Sequence, residues 1–134
     1  MNSSVTGISS PLKVVEAFLA AMKTPDYDTA FTYVSDKCEY ENVPMPESKV
    51  YGPEGIRAIL EPFFAPTTEN EFLIIRSATT GPVVILERID RHLLADGWIE
   101  LPVTGVFEVH DGKITLWKDY FNLPTLAPMF TPSA

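Results

Sequence analysis

"PVVILERIDRHLLADGWIELPVTGVFEVHDGKITLWKDYF", residues 82–121, decides the fold class. Apolar and β-branched residues alternate with polar ones along it, and Asp96-Gly97 and Asp111-Gly112 cut it into three runs, 82–94, 98–109 and 113–121. A period of two is the signature of a strand, and short Asp-Gly connections between long strands favour an antiparallel meander. Residues 70–79, ahead of the Gly81-Pro82 turn, add a fourth strand.

Upstream the period changes. Ser10-Pro11 is a helix start: a side chain that caps free amides, then a proline where no amide partner is needed. Leu12, Val15, Phe18, Leu19 and Met22 recur at helical spacing, which predicts a helix to about Met22. A second helix restarts from Thr24 and Pro25, with Ala30, Phe31 and Val34 on its apolar side. A third starts near Pro53, carries Ile56, Ile59, Leu60 and Phe63 inward, and is ended or bent by Pro62. Helices first and sheet second predict an α+β domain, with helices covering one side of a curved sheet. Residues 1–9 read as a flexible tail and 10–134 as one domain.

The totals narrow the function. A chain of 134 residues with 46% hydrophobic and 21% charged residues is globular in balance. Its formal charge of −8 and lack of any Lys/Arg stripe argue against nucleic acid and against an anionic membrane surface. Cys38 is the only cysteine, so no intrachain disulfide and no cysteine-based metal cluster can form. "MNSSVTGISS" has neither the basic start nor the apolar core of a signal peptide, and no apolar run reaches the ~20 residues of a membrane span. The expectation is a soluble cytoplasmic protein.

Alternation assigns the faces of the strands. Trp117, Asp119 and Phe121 share one face with Thr115, against Leu116, Lys118 and Tyr120. Val103, Gly105, Phe107 and Val109 form the matching apolar face of the preceding strand. Asp119 therefore points inward among large apolar side chains. Val84, Leu86, Arg88, Asp90 and His92 share a face of the central strand, although Ile85 and Ile89 argue for the opposite one.

A carboxylate beside Trp117 and Phe121 is costly unless a positive group meets it. Arg88 is the candidate, because a guanidinium can fork across two carboxylates at once. One positive charge between Asp119 and Asp90 should drive the two acids' pKa values apart, which prepares one general base and one general acid. A structural ion network at a sheet rim or dimer interface fits the same pattern, and both readings stand at this point. In "CEYENVPMP", residues 38–46, Tyr40 and Asn42 share a face opposite Glu39 and Glu41. A phenol and an amide side by side can hold a water by one accepted and one donated hydrogen bond.

His92 and His110 lie in different strands without a third ligand, so a metal site is not expected. No Ser–His–Asp arrangement and no glycine-rich phosphate loop is present. Cys38 reads as a small buried hydrophobe. "NLPTLAPMF", residues 122–130, fits a pocket lid, a core extension or a dimer contact equally well.

Helices followed by a sheet curved into a cone resemble the fold shared by nuclear transport factor 2, ketosteroid isomerase and polyketide cyclases. Within that group "YENVPMP", "ERIDRHL" and "LWKDYFNL", in that order, resemble the limonene-1,2-epoxide hydrolase family. The resemblance spans about Leu12 to Leu123. It implies Asp119 as the base that takes a proton from water, Asp90 as the acid that protonates the epoxide oxygen, and Arg88 as their bridge. It implies Tyr40 and Asn42, with Asp119, as the residues that position the water. It further implies a homodimer, no metal and no organic cofactor, and a small cyclic or aryl epoxide such as limonene 1,2-oxide as substrate. Trp117, Phe107, Val103 and Leu86, with Met45 at the rim, are the expected apolar substrate walls. Two other classes remain: an isomerase or cyclase on the same fold, which needs a lone base and no Arg88 bridge, and a non-catalytic binding or dimerisation module.

Overall fold

The computed structural model describes residues 10–130. The tail expected at residues 1–9 and the last four residues lie outside that range. Helix α1 spans Pro11–Ala21, and the Ser10 hydroxyl caps it by accepting from the Lys13 amide at 3.3 Å. Helix α2 is one turn, Tyr27–Ala30, capped by Asp26, which accepts from the Thr29 amide at 3.1 Å. The second helix thus starts later and ends sooner than its apolar pattern suggested. A 3₁₀ turn follows, and Val34 opens strand β1, Val34–Asn42, instead of closing a helix face.

A two-residue strand β2, Val50–Tyr51, precedes helix α3, Gly52–Phe64. Gly52 has φ +79, and a β-carbon there would lie 2.5 Å from the Asp36 carbonyl oxygen, so only glycine lets α3 start so close to the backbone of β1. Pro62 falls in the last turn of α3, where it removes one amide-to-carbonyl bond, and the helix runs past it only to Phe64.

Strands β3 (Glu69–Thr80), β4 (Val83–Leu94), β5 (Gly97–His110) and β6 (Lys113–Phe121) form the antiparallel meander. Asp111 and Gly112, with φ of 53 and 76, make the left-handed pair that a two-residue hairpin demands. The sheet order is β2-β1-β6-β5-β4-β3, with β1 parallel to β6. That parallel contact is long-range and has no local sequence signal. The polar pair Tyr40 and Asn42 is thereby laid opposite Trp117 and Asp119.

Register shifts interrupt β1, β3 and the β5–β6 pairing, and such bulges bend strands and raise their twist. The shift at Glu108/Val109 skips Thr115, so Ile114 takes the inner position that strict alternation assigned to Thr115. On β4 the ambiguity resolves cleanly: Val84, Leu86, Arg88, Asp90 and His92 are buried, whereas Ile85 is 40% exposed. The main core joins α1, α3 and the concave sheet face through Val15, Phe18, Ile56, Leu60, Phe107, Ile114 and Trp117. A smaller cluster of Leu101, Val103 and Leu126 lies at the other end. A short terminal helix, α4, spans Ala127–Phe130.

Candidate active site

Between α1, α3 and the concave sheet face lies a cavity of about 330 Å³. Its walls are almost entirely carbon: Phe18, Met22, Ile59, Phe63, Phe64 and Phe72 supply much of them. Polar atoms gather where side chains of β1 and β4 converge over the concave face, and Tyr40, Asn42, Arg88 and Asp90 line that part.

Arg88 is 1% exposed. Its Nε and Nη2 donate to Asp90 Oδ1 and Oδ2 at 2.8 and 2.9 Å, a bidentate fork. Its Nη1 and Nη2 donate to Asp119 Oδ1 and Oδ2 at 3.2 and 3.0 Å. One guanidinium therefore serves both carboxylates. Burial opposes its charge, but Asp119 and Asp90 overcome that penalty and hold its pKa above the ordinary arginine value. Asp119 also accepts from the Trp117 indole N–H at 2.9 Å. Burial pushes the Asp119 carboxyl above the usual aspartate value, while Arg88 and the Trp117 donor pull against that push.

Tyr40 stacks on Trp117 with ring centroids 4.1 Å apart, and its hydroxyl donates to Asn42 Oδ1 at 3.2 Å. Burial first, then the charge of Asp119, raises the phenol pKa, so Tyr40 stays protonated. Glu39 and Glu41 face the other way, toward Lys49 and, for Glu41, Lys118. The five residues singled out from sequence, Asp119, Asp90, Arg88, Tyr40 and Asn42, are thus brought together.

The expected apolar walls divide. Trp117 and Met45 line the cavity. Phe107, Val103 and Leu86 do not, and this corrects their placement as substrate walls. Phe107 and Leu86 are 0% exposed and packed in the main core, while Val103 belongs to the smaller cluster. Inward alternation says that a residue is buried, not whether it meets a ligand or another side chain. Asp119 is not itself one of the cavity-lining residues, but it accepts hydrogen bonds from Arg88 and Trp117, which are, and 9% of its side chain is open.

Several wall residues were not singled out beforehand. Phe63, Phe64 and Phe72 come from α3 and β3, and Leu126 and Phe130 from the C-terminal segment. That segment therefore contributes both to the cavity and, through Leu126, to the smaller core cluster. Gly105 is the clearest omission. It pairs with Asp119 on one side and Leu86 on the other, and a β-carbon there would lie 2.5 Å from Arg88 Nη1 and 3.0 Å from Asp119 Oδ1. A glycine within a strand often marks such a close approach, and it was the available signal. His92 and His110 lie apart: His92 is on the cavity wall against Asn70, and His110 is at the end of β5, 3.4 Å from Glu108. Among the described residues no group of three His, Cys, Asp or Glu is placed to hold a metal ion.

The geometry is one cation shared by two buried carboxylates at the polar end of a carbon-walled cavity, with a phenol and an amide beside it. The limonene-1,2-epoxide hydrolase catalytic domain model matches residues 9–130 of this chain. The chain belongs to the limonene-1,2-epoxide hydrolase family. Its enzyme class, epoxide hydrolase, follows from that membership. Epoxide hydrolase EphG of Mycobacterium tuberculosis (strain ATCC 25618 / H37Rv) is 37% identical over 109 residues, covering 81% of this chain and 71% of that protein. The structure of an LEH-like epoxide hydrolase from M. tuberculosis superposes with a TM-score of 0.75 at 34% identity, covering 89% of this chain and 87% of that one. A SnoaL-like protein from Shewanella denitrificans OS-217 gives a TM-score of 0.79 at 17% identity, covering 90% and 96% of the two chains, and shows the fold alone. The curved α+β cone is of the nuclear transport factor 2-like type.

Proposed function

We propose that this member of the limonene-1,2-epoxide hydrolase family opens small, mostly apolar cyclic or aryl epoxides to vicinal diols by direct attack of water. The reading rests on one observation: Arg88 holds Asp90 and Asp119 together at the polar end of the apolar cavity. The unit is the domain formed by residues 10–134.

The free hydrogen-bonding positions suggest how the water is held. The Tyr40 proton is committed to Asn42 Oδ1, so the phenol oxygen is left to accept and the Asn42 amide N–H groups are left to donate. A water that donates to Asp119 and to Tyr40, and accepts from Asn42, keeps one lone pair free for attack. Asp119, raised by burial, is a stronger base than an ordinary aspartate once ionised. Asp90 delivers a proton to the epoxide oxygen as the ring opens, so base and acid act in one step from opposite sides. Arg88 keeps one positive charge between them throughout and limits the cost of separating charge in a carbon-walled chamber. No ester to a carboxylate forms along this route.

The resemblance to the family also supports a cofactor-independent homodimer acting in the cytoplasm. Leu73, Ile85 and Tyr120 are 46%, 40% and 44% exposed on the outer side of the sheet, the apolar surface such a dimer would cover. Among the described residues no helix is long and apolar enough to cross a membrane.

The experiment is hydrolysis of limonene 1,2-oxide and a panel of cyclic and aryl epoxides in oxygen-18 water, under single turnover with excess enzyme. Diol labelled in the first turnover is the expected result. Unlabelled first-turnover diol would mean a carboxylate nucleophile and overturn the mechanism, and no diol from any epoxide would overturn the reaction. Sedimentation analysis at micromolar concentration tests the dimer.

A further inference from the structure

One polar group on the cavity wall has no part in that mechanism. His92 is 2% exposed, yet it lines the cavity two residues beyond Asp90 on the same face of β4. Phe63, Phe64 and Phe72 surround its ring, with centroids at 5.3, 5.7 and 6.2 Å.

Its tautomer is determined by a chain of hydrogen bonds. The Thr67 hydroxyl donates its one proton to the Phe64 carbonyl at 2.7 Å, so it can only accept from elsewhere. It accepts from Asn70 Nδ2 at 3.2 Å, and the same nitrogen donates to the Lys23 carbonyl at 3.3 Å. Both amide protons of Asn70 are thereby used, and Asn70 Oδ1 must be an acceptor. It lies 2.7 Å from His92 Nδ1, which therefore carries the proton. Burial, and then the charge of Arg88, lowers the His92 pKa to about 4, so the ring is neutral at pH 7. Nε2 is left as a bare lone pair.

No described residue donates to that lone pair. Among the described residues no fully buried side-chain nitrogen or oxygen lacks a partner, so Nε2 opens onto the cavity. Apart from the polar end formed by Tyr40, Asn42, Arg88 and Asp90, the cavity thus presents a fixed, neutral acceptor among the rings of Phe63, Phe64 and Phe72. An alternating position two residues from Asp90 puts it about 7 Å along the strand from the acid.

We propose that His92 Nε2 accepts a hydrogen bond from a hydroxyl on the substrate, so that the preferred substrates are epoxy alcohols with the hydroxyl distal to the ring that opens. The proposal rests on the epoxide hydrolase reading and narrows its substrate class. An epoxide without the hydroxyl displaces water from Nε2 and leaves the acceptor unpaired, which is the source of the discrimination. An ammonium in the same place would bring an unpaired charge among carbon walls. Asn70, Thr67 and the Lys23 carbonyl act as positioning groups, since they determine which ring nitrogen faces the cavity.

The test compares p-menth-1-ene 1,2-oxide with α-terpineol 1,2-oxide, which differ by one hydroxyl at the end of the molecule away from the epoxide. The readout is the ratio of their kcat/KM values, measured on one preparation so that any loss of folded protein cancels. The wild-type ratio is expected to favour the alcohol by about tenfold or more. His92→Leu should bring the ratio close to one. His92→Gln should restore part of it, because its amide can donate to Asn70 and offer an oxygen to the cavity. A wild-type ratio near one, or a ratio that survives His92→Leu, overturns the proposal while hydrolysis of both compounds leaves the epoxide hydrolase reading standing. Hydrolysis of neither overturns the proposal, and the oxygen-18 panel then judges the reaction separately.

Discussion

A β-carbon on Gly105 would lie 2.5 Å from Arg88 Nη1, closer than β-carbons come to other atoms in proteins. The bridge between the two carboxylates therefore depends on an absent methyl group in the neighbouring strand. Gly105→Ala should displace the guanidinium by an ångström or less without removing any catalytic atom. The expected loss in kcat/KM is about a hundredfold, the scale of a small misplacement of reacting groups. Overpacking should cost about 1–3 kcal/mol of stability. Steady-state kinetics with urea unfolding of the same variant checks both, and near-wild-type activity would show that Arg88 can shift freely.

Asp119→Asn and Asp90→Asn each keep the shape of the side chain while removing one role. Each should lower kcat by at least about a hundredfold, the usual contribution of a positioned acid or base. The circular dichroism spectrum should stay that of the wild type. A variant that keeps more than a tenth of the activity removes that residue from its role.

Arg88→Ala is expected to act on folding as much as on rate. Two carboxylates would be left buried without their cation, a loss of about 3–5 kcal/mol. Unfolding by urea at pH 7 measures it. A change below 1 kcal/mol would mean that water reaches the cluster far more freely than its 1% exposure of Arg88 indicates.

Trp117→Phe keeps an aromatic ring against Tyr40 but removes the indole N–H from Asp119. That donor pulls the Asp119 pKa down, against burial. Its loss should raise the pKa further, so the base becomes protonated at higher pH. The acid limb of the kcat/KM profile should move to higher pH, and an unmoved limb would separate Trp117 from the titration of Asp119.

His92 also makes stability depend on pH. Its folded-state pKa, about 4, lies below the ordinary histidine value of 6.5, so the unfolded chain binds the extra proton first on acidification. The stabilisation is present above pH 6.5 and is lost as pH falls toward 4, by about 3 kcal/mol in all. Denaturant unfolding at pH 7, 5.5 and 4 should show this component in the wild type and its absence in His92→Gln. Parallel curves for the two proteins would refute it.

The sequence by itself determined the elements and most of the polar chemistry. Period-two alternation and Asp-Gly turns set the meander, and the Ser10-Pro11 pair set the start of α1, because these signals act within a few residues. The inward Asp119 and the candidate Arg88 partner followed from the same local periodicity. Only the tertiary structure decided the rest. The parallel β1–β6 pairing laid Asn42 across from Asp119, although 76 residues of sequence lie between them and no local rule encodes it. A bulge exchanged Thr115 for Ile114, since one extra residue reverses which side faces the core. Leu86, Val103 and Phe107 went to the core and Phe63, Phe64 and Phe72 to the cavity, because alternation records burial but not what a buried side chain touches. The bare nitrogen of His92 likewise depends on Asn70, Thr67 and Lys23, which only folding brings within hydrogen-bond reach.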